Sequence, residues 1–594
     1  MKTRLHPVGS RRARGGWALL VTLALTACAA MVMAGVLNWT NNSSWVVARN
    51  NEYYATSYAA EAATEKALSG MIQDYQNGGW GLVTSKLSTY SNAVPNSTDS
   101  AYWANYTFSG GPGQVNKTVI NLVNPTNIVY LGAPYQGLMM EAWQYEIIST
   151  ASNFSSGYGI AAAVGQQINL GVIPIFQFAI FYQTTMEIDP GATMTITGLV
   201  HGNTNIYIDP PGALTFSNSV SASGSIIMTE NPLDPTSGRA TVGTATFDGS
   251  ELSGVSPLNL PVGTNTSGTG TNNVEVILQI PPTGVGPSSS GGSNYLYNQA
   301  DMIILVSNSS VTVTSGPNNA SSPSAAIFTN NAWTNFLSTN SGNQFYDQRD
   351  SLTVQAVDLD VGNLAHWAAT NRTILGPQST NLGRQIESVY IADFRATNSS
   401  TQPGIVLTNG MTLPNLGLAV VTPEPLYIKG NYNVSTNLAG PATNTGTANT
   451  SQTFPAAIYA DAITVLSSAW NNANGSASYT TRVPANDTVN AAFLTGIVPS
   501  NGTYYSGGVE NFPRLLENWS GYTLTYNGSM VAMFNSVYAT APWQQTGVYY
   551  QPPTRQWAFD VNFNNPAKLP PLTPKVLDVN RSAWSFLNTN STSF

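Results

Sequence analysis

Asp347, Asp350, Asp358 and Asp360, with Arg349 among them, form the densest group of side chains in this sequence that could do chemistry. Paired carboxylates can split a glycosidic bond, one as acid and the other as base or nucleophile. The same oxygens can hold Ca²⁺. Against both, Asp358-Leu359-Asp360 on a strand puts its two acids on one solvated face, and Arg349 offers an ion pair, so a structural role is expected. The other reactive types are sparse: His6, His201, His366 and the single Cys28. No His/Cys metal cluster and no Cys–His nucleophile pair can be assembled from these. No Gly-x-Ser-x-Gly precedes a helix, and the Gly-rich stretches lack the Lys-Ser/Thr of a phosphate loop. The expectation is a protein without enzymatic activity, resident metal or cofactor, with Asp347, Asp350, Asp358 and Asp360 as its only calcium candidates.

The elements that position these residues start with an uncharged run from Trp17 to Leu37, preceded by Lys2, Arg4, Arg11, Arg12 and Arg14. Its 21 residues, at about 1.5 Å each, span roughly 31 Å, enough to cross a hydrocarbon core of about 30 Å. The basic flank stays on the cytoplasmic side, which places everything after Leu37 beyond the inner membrane. Three mechanisms compete for the segment. A retained helix is favoured. Leu25-Thr26-Ala27-Cys28 also reads as a lipobox, and Ala27 with Ala29-Ala30 would suit a cleaved signal peptide. The run is too long for a cleaved signal's apolar core of about 7–15 residues, and it stays apolar past Cys28, where a lipoprotein turns polar.

After a polar collar at Asn38–Ser44, where a kink is plausible, the stretch from Glu52 to Tyr75 is Ala-rich and free of Pro. Tyr54, Tyr58 and Ala62 fall on one stripe, and Leu68, Ile72 and Tyr75 continue a nearby one, the period of an amphipathic helix. Asn77-Gly78-Gly79 supplies its stop. Arg11-Arg12-Ala13-Arg14-Gly15-Gly16-Trp17, the apolar run, and the helix containing Ala59-Ala60-Glu61-Ala62 together resemble the N-terminal region of PilX-type minor pilins of type IV pili and related secretion machinery. The resemblance covers about residues 11–76. It implies a leader removed after Gly16, leaving Trp17 as the first residue, and other pilin-like subunits as partners of the helix. Two positions depart from the pattern: Trp17 stands where Phe or Val is usual, and Val21 stands where major pilins carry Glu. Minor pilins of this type and K-type pseudopilins are similar in lacking that Glu, which implies a tip or initiating subunit.

The remainder is polar but folded. Charged residues make up 8% and hydrophobic ones 42%, with a net charge of −8, a balance that disfavours nucleic acid and anionic membrane surfaces as partners. A single cysteine allows no disulfide framework, so sheets and packing must hold the outer part together. Short alternating segments punctuated by Gly, Asn and Pro predict strands: the stretch Met194–Ile208, which turns at Asp209–Gly212, then Leu214–Phe216 and Val220–Ile227, then Val274–Ile280, Met302–Val306, Val311–Thr314, Ser351–Val357, Ser388–Phe394, Ile405–Thr408, Gly417–Val421 and Leu426–Asn433. Such small successive segments suggest rungs of a parallel β-solenoid. Short helices are expected at Ala332–Leu337, Leu364–Ala369 and Ala460–Trp470. Exposed loops are expected at Gly263–Asn273, Thr283–Asn294 and Ser435–Thr453. Leu170–Phe181 is apolar but short and contains Pro174, so it predicts a buried strand rather than a second span.

The fold class is therefore α+β, mainly β: a membrane-spanning helix with an amphipathic extension, then a large β-rich outer part. The divisions are a leader (1–16), the helix (17–76), an α/β linking region (77–190), a solenoid-like region (191–480) and an aromatic, Pro-rich cap (481–594). In the last of these, rings such as Trp519, Tyr526, Trp543, Tyr550 and Trp557 are expected to close the open end of the solenoid, with a sugar- or partner-binding surface as the alternative. Two functions follow. One is a non-enzymatic pilin-like subunit, minor or tip, displaying a β-rich part for adhesion or assembly from the inner membrane into the periplasm or beyond. The other is a tethered or lipoprotein surface β-helix that binds or hydrolyses polysaccharide. The partners expected are pilin-like subunits, the inner membrane and a surface polysaccharide, with no nucleic acid.

Overall fold

The computed structural model describes residues 16–111, 113–236, 243–261, 274–289, 291–316, 332–370, 385–438 and 444–589. The leader with His6, the expected loop Gly263–Asn273 and part of Ser435–Thr453 lie outside the described residues. The chain opens with one long helix, Gly16–Ser85, and continues into a large β-rich part.

The helix runs unbroken through the collar Asn38–Ser44. Its only non-helical positions are Gly78, at φ −154°, and Gly79, at φ 64°. Gly79 adopts the left-handed conformation that costs an L side chain most. The chain breaks direction there and makes further helical turns to Ser85 instead of stopping. Along its second half the helix buries a stripe of small residues, Thr56, Ala59, Ala60, Ala63, Thr64 and Ala67, followed by the larger Leu68, Met71 and Tyr75. Spacings of three and four keep these on one face. Tyr54 and Tyr58, expected on the buried stripe, are 54% and 66% exposed. The face with the smallest side chains faces inward because it lets the helix approach the sheet closely.

That sheet is antiparallel, with five strands. Tyr106–Ser109 and Val119–Tyr130 both pair with Met139–Asn153, which pairs with Ala161–Pro174, and this in turn with the C-terminal strand Lys575–Leu587. Side-chain alternation explains why its middle strands, Met139–Asn153 and Ala161–Pro174, are buried on both faces. Tyr145, Ile147, Ile168 and Leu170 pack against Leu68, Met71 and Tyr75 of the helix, while Met140, Ala142 and Ile173 join the core of the larger β part. Full burial of an apolar side chain such as Leu68 or Met71 is worth about 1.5–3 kcal/mol. Directional contacts fix the docking: the Tyr75 hydroxyl donates to the Gly171 carbonyl at 2.6 Å, Trp80 stacks on Trp143, and Arg581 pairs with Glu65 at 2.6 Å. A Cβ at Gly171 would collide with the Met140 side chain where it now lies, so a larger residue there would force Met140 to move.

The larger part is built on an eleven-stranded sheet. From one edge it runs Glu251–Ser253, Val220–Ala222, Leu199–Gly202, Phe178–Tyr182, Met530–Asn535, Ala492–Ile497, Ala456–Ala460, Leu418–Val421, Ser388–Asp393, Met302–Val306 and Val311–Ser315. Every neighbouring pair is parallel except the last. A seven-stranded mixed sheet and two three-stranded parallel ladders flank it, with a further three-stranded parallel ladder, Asp487–Asn490, Thr523–Gly528 and Thr554–Phe559, beside them. Met186–Ile188, Met194–Ile196 and Leu199–Gly202 pair respectively with Ile206–Ile208, Leu214–Phe216 and Val220–Ala222. Equivalent residues are 20 apart, as in the bond from Gly198 N to Asn218 Oδ1.

Phe178–Tyr182 is the meeting point of two arms. Strands from 199 to 253 lie on one side of it, and strands from 302 to 535 lie on the other. Ser529 Oγ donates to the Phe178 carbonyl at 2.6 Å across the junction. Leu170–Phe181 lies in Ala161–Pro174, a short 3₁₀ turn and Phe178–Tyr182, and is buried throughout.

Three local expectations differ. Val274–Ile280 is a 3₁₀ turn at Glu275–Leu278. Ala332–Leu337 divides into a 3₁₀ turn, Ala332–Asn335, and the short strand Leu337–Ser338. Ala460–Trp470 contains the strand Ile463–Leu466 rather than a helix. There the β-branched Ile463, Thr464 and Val465 fit a parallel ladder better than a helical turn.

Candidate functional site

The first half of the helix leaves a long apolar surface exposed. Its most apolar window has mean hydropathy 2.3 and none of it is buried. Trp17, Leu23, Val32 and Leu37 are exposed, and so are Trp39, Trp45, Val46, Val47, Tyr54 and Tyr58 beyond them. Thr22 and Thr26 turn their hydroxyls back onto the carbonyls of Ala18 and Thr22, each at 2.9 Å, so neither threonine presents an unsatisfied donor outward. Cys28 is exposed on the same surface. Gly16 is the first described residue, and Trp17 follows it on the helix. The tip of the antiparallel sheet reaches down to this level, where Tyr158 meets Trp45 edge to face with centroids 5.5 Å apart.

The four aspartates do not converge. Asp347 is buried and accepts from the backbone of Arg349 at 2.8 Å and Asp350 at 3.1 Å, and from the Tyr427 hydroxyl at 2.9 Å. Burial, then the Asp350 charge, pushes its carboxyl up to about 6. Asp350 pairs with Arg514 at 3.2 Å, not with Arg349, whose Nε donates to the Ala541 carbonyl. Asp347 faces Leu352 in register, and Asp358 lies six residues further along that strand, roughly 20 Å away at strand rise. Burial raises the Asp358 carboxyl to about 6. Asp360 accepts from Asn363 N at 2.8 Å, capping the helix Val361–Thr370. Two of the four thus hold a buried ion network, one caps a helix, and no group of three or more metal-ligating side chains occurs among the described residues.

The histidines serve different ends. His201 is buried, with Nδ1 2.9 Å from Ser221 Oγ and Nε2 2.9 Å from Asn203 Oδ1, and burial depresses it to about 4. His366 is exposed on its helix.

A second site joins residues far apart in sequence. Asp189 and Glu510 both accept from the Tyr505 hydroxyl, at 3.1 and 3.2 Å. Burial raises the Glu510 carboxyl above its usual range, against its own backbone N–H and the Arg555 charge. These groups lie in a cleft of about 420 Å³ lined also by Trp543, Tyr550, Pro552, Pro553 and Arg555. The Trp543 ring stands edge-on to Tyr505 at 5.4 Å. Its Nε1 donates to the Tyr550 hydroxyl at 2.9 Å, which donates to Asn511 Oδ1 at 2.8 Å, and Arg555 Nη2 donates to the same oxygen at 3.1 Å. Sequence reading marked the aromatic density here but missed Asp189, which lies 316 residues from Tyr505. No local pattern at Asp189-Pro190-Gly191 signals more than a turn.

No protein-family model matches the chain, and no curated protein matches it. Among solved structures it is similar to the competence-associated pilin ComZ from Thermus thermophilus, with 10% identity over 90% of this chain and 97% of that one, at a TM-score of 0.29. A likeness that slight carries no functional conclusion.

Proposed function

We propose that the chain is a non-enzymatic, pilin-like assembly subunit of a bacterial type IV pilus or secretion pseudopilus, a minor or tip component of PilX type. In this reading Trp17–Leu37 crosses the inner membrane before assembly, the leader is removed after Gly16, and the β-rich part is displayed outward. Its repeating parallel ladders are the faces of a β-solenoid.

The observation that carries the proposal is the length of exposed apolar helix. A bilayer covers roughly 31 Å of it, to about Leu37. Exposed Trp39, Trp45, Val46, Val47, Tyr54 and Tyr58 continue for another 21 residues, roughly 31 Å more. A tether has no use for that surface, whereas a helix packed among other helices buries it. The PilX-type resemblance of residues 11–76 points the same way. The absence of enzymatic activity is supported by the structural employment of Asp347, Asp350 and Asp360 and by the separation of Asp358 from Asp347. The tethered or lipoprotein alternative keeps Cys28 as its anchor.

The test is N-terminal sequencing of the mature membrane protein together with cross-linking from Ser44→Cys, an exposed position on the same helix. A chain beginning at Trp17 that cross-links to other pilin-like subunits is expected. A chain beginning at a lipid-modified Cys28 would install the lipoprotein instead.

A further inference from the structure

We propose that the cleft between the Asp189 turn and the Tyr505–Arg555 segment binds a neutral saccharide chain, stacking one sugar ring on Trp543 and taking hydroxyls on Asp189 and Glu510. The ligand class follows from what lines the cleft. A half-buried indole offers a flat apolar face of the kind that sugar C–H faces cover. Asp189 and Glu510 each accept from the Tyr505 hydroxyl on one oxygen and from a backbone N–H, of Asp209 and Asp189 respectively, on the other. The second lone pair of each oxygen suits a ligand rich in donors. Arg555 adds a donor: its Nε is buried and has no hydrogen-bond partner, and such a group costs free energy until something accepts from it. A pyranose supplies donors and acceptors in alternation around its ring.

Charge narrows the class. The two carboxylates repel an anion, and Arg555 opposes them, so a neutral ligand fits best. The site is also built in advance. Asn511 Oδ1 holds both the Tyr550 hydroxyl and Arg555 Nη2, and through Tyr550 it fixes the Trp543 ring. Groups already locked in place lose little freedom on binding. A volume of about 420 Å³ is within the ordinary range for small-ligand sites. The proposal names a ligand for the displayed part and rests on that part facing outward, but binding by the purified chain does not depend on assembly, so the two can fail separately.

The experiment uses the full chain in a non-glycosidic detergent and a panel of soluble tetrasaccharides of glucose, mannose, galactose and N-acetylglucosamine. Tryptophan fluorescence and titration calorimetry report binding. At least one member should bind, with affinity reduced tenfold or more by Trp543→Ala and by Thr546→Trp, which fills the cleft from an exposed position without removing a buried side chain. Trp584→Ala, on the distant C-terminal strand, should leave binding unchanged. Binding by no member, a preference for uronic acid oligomers, or binding indifferent to both cleft variants would overturn the proposal.

Discussion

Tyr58 tests whether the upper helix is an assembly surface. Its side chain is 66% exposed, and a tyrosine buries on the order of 150–250 Å² when fully covered, so about 100–165 Å² is available to a neighbouring subunit. At about 25 cal/mol per Å² that is worth roughly 2.5–4 kcal/mol. Imperfect packing and the ordering of the ring lower the return, so Tyr58→Ser should cost about 2–3 kcal/mol at the interface, roughly 30- to 150-fold in affinity. The folded chain should not notice, because substitutions at exposed sites usually fall within about 0.5 kcal/mol. The assay compares incorporation of wild-type and variant chains into the fibre or pseudopilus fraction, alongside membrane content and Tm. Loss of incorporation at unchanged membrane content and Tm is expected. Unchanged incorporation for Tyr58→Ser combined with Val47→Ser would refute the reasoning, as would a fall in Tm large enough to explain the loss.

Three further expectations rest on other parts of the chain. N-terminal sequencing should return Trp17, and Val21→Lys should weaken membrane retention by up to about 2.5–3.5 kcal/mol. Glu424 is buried and raised from its ordinary 4.5 to about 8, so the folded chain holds a proton that the unfolded chain has released. The stability this gives is complete below about pH 4.5 and is lost as pH rises toward 8. Relative to Glu424→Gln, wild type should therefore lose about 1.4 kcal/mol per pH unit in that window, measured by denaturant unfolding across pH, and parallel curves would count against it. Asp360→Ala removes a helix cap and should cost about 1 kcal/mol, while added calcium should leave Tm unmoved. A calcium-dependent rise in Tm abolished by Asp360→Ala would return the aspartates to metal binding.

How much was legible depends on how local the signal is. The apolar run and its continuation are contiguous, so hydropathy and period alone locate the long helix. Its buried face is not local: Ala59, Ala60 and Ala63 face inward because the sheet approaches closely, and a stripe read from ring size picks Tyr54 and Tyr58 instead. The β character of Met194–Ile208 and Val220–Ile227 is readable from alternation between turn residues, but not the bends that divide them into five short strands. Ile463–Leu466 was not, because the alanines around it favour a helix and only the ladder on either side overrides them. Arg349 was the arginine expected to pair with the aspartates because the one that pairs with Asp350, Arg514, lies 164 residues away. The Asp189–Tyr505–Glu510 cleft was invisible for the same reason.

The route of the chain explains how the outer part can be held at a fixed angle to the helix. Ala161–Pro174 belongs to the sheet under the helix and leads directly into Phe178–Tyr182 at the centre of the large sheet. The chain returns beside that strand at Met530–Asn535 and comes back to the same antiparallel sheet as Lys575–Leu587. The β-rich part is thus tied to the helix-bearing sheet by two crossings, and the middle strands of that sheet, Met139–Asn153 and Ala161–Pro174, are largely buried on both faces. A single linker would let the outer part swing on its anchor. Two crossings over a shared core couple its orientation to the helix, which is what a subunit needs if packing its helix among others is to decide where its outer surface points.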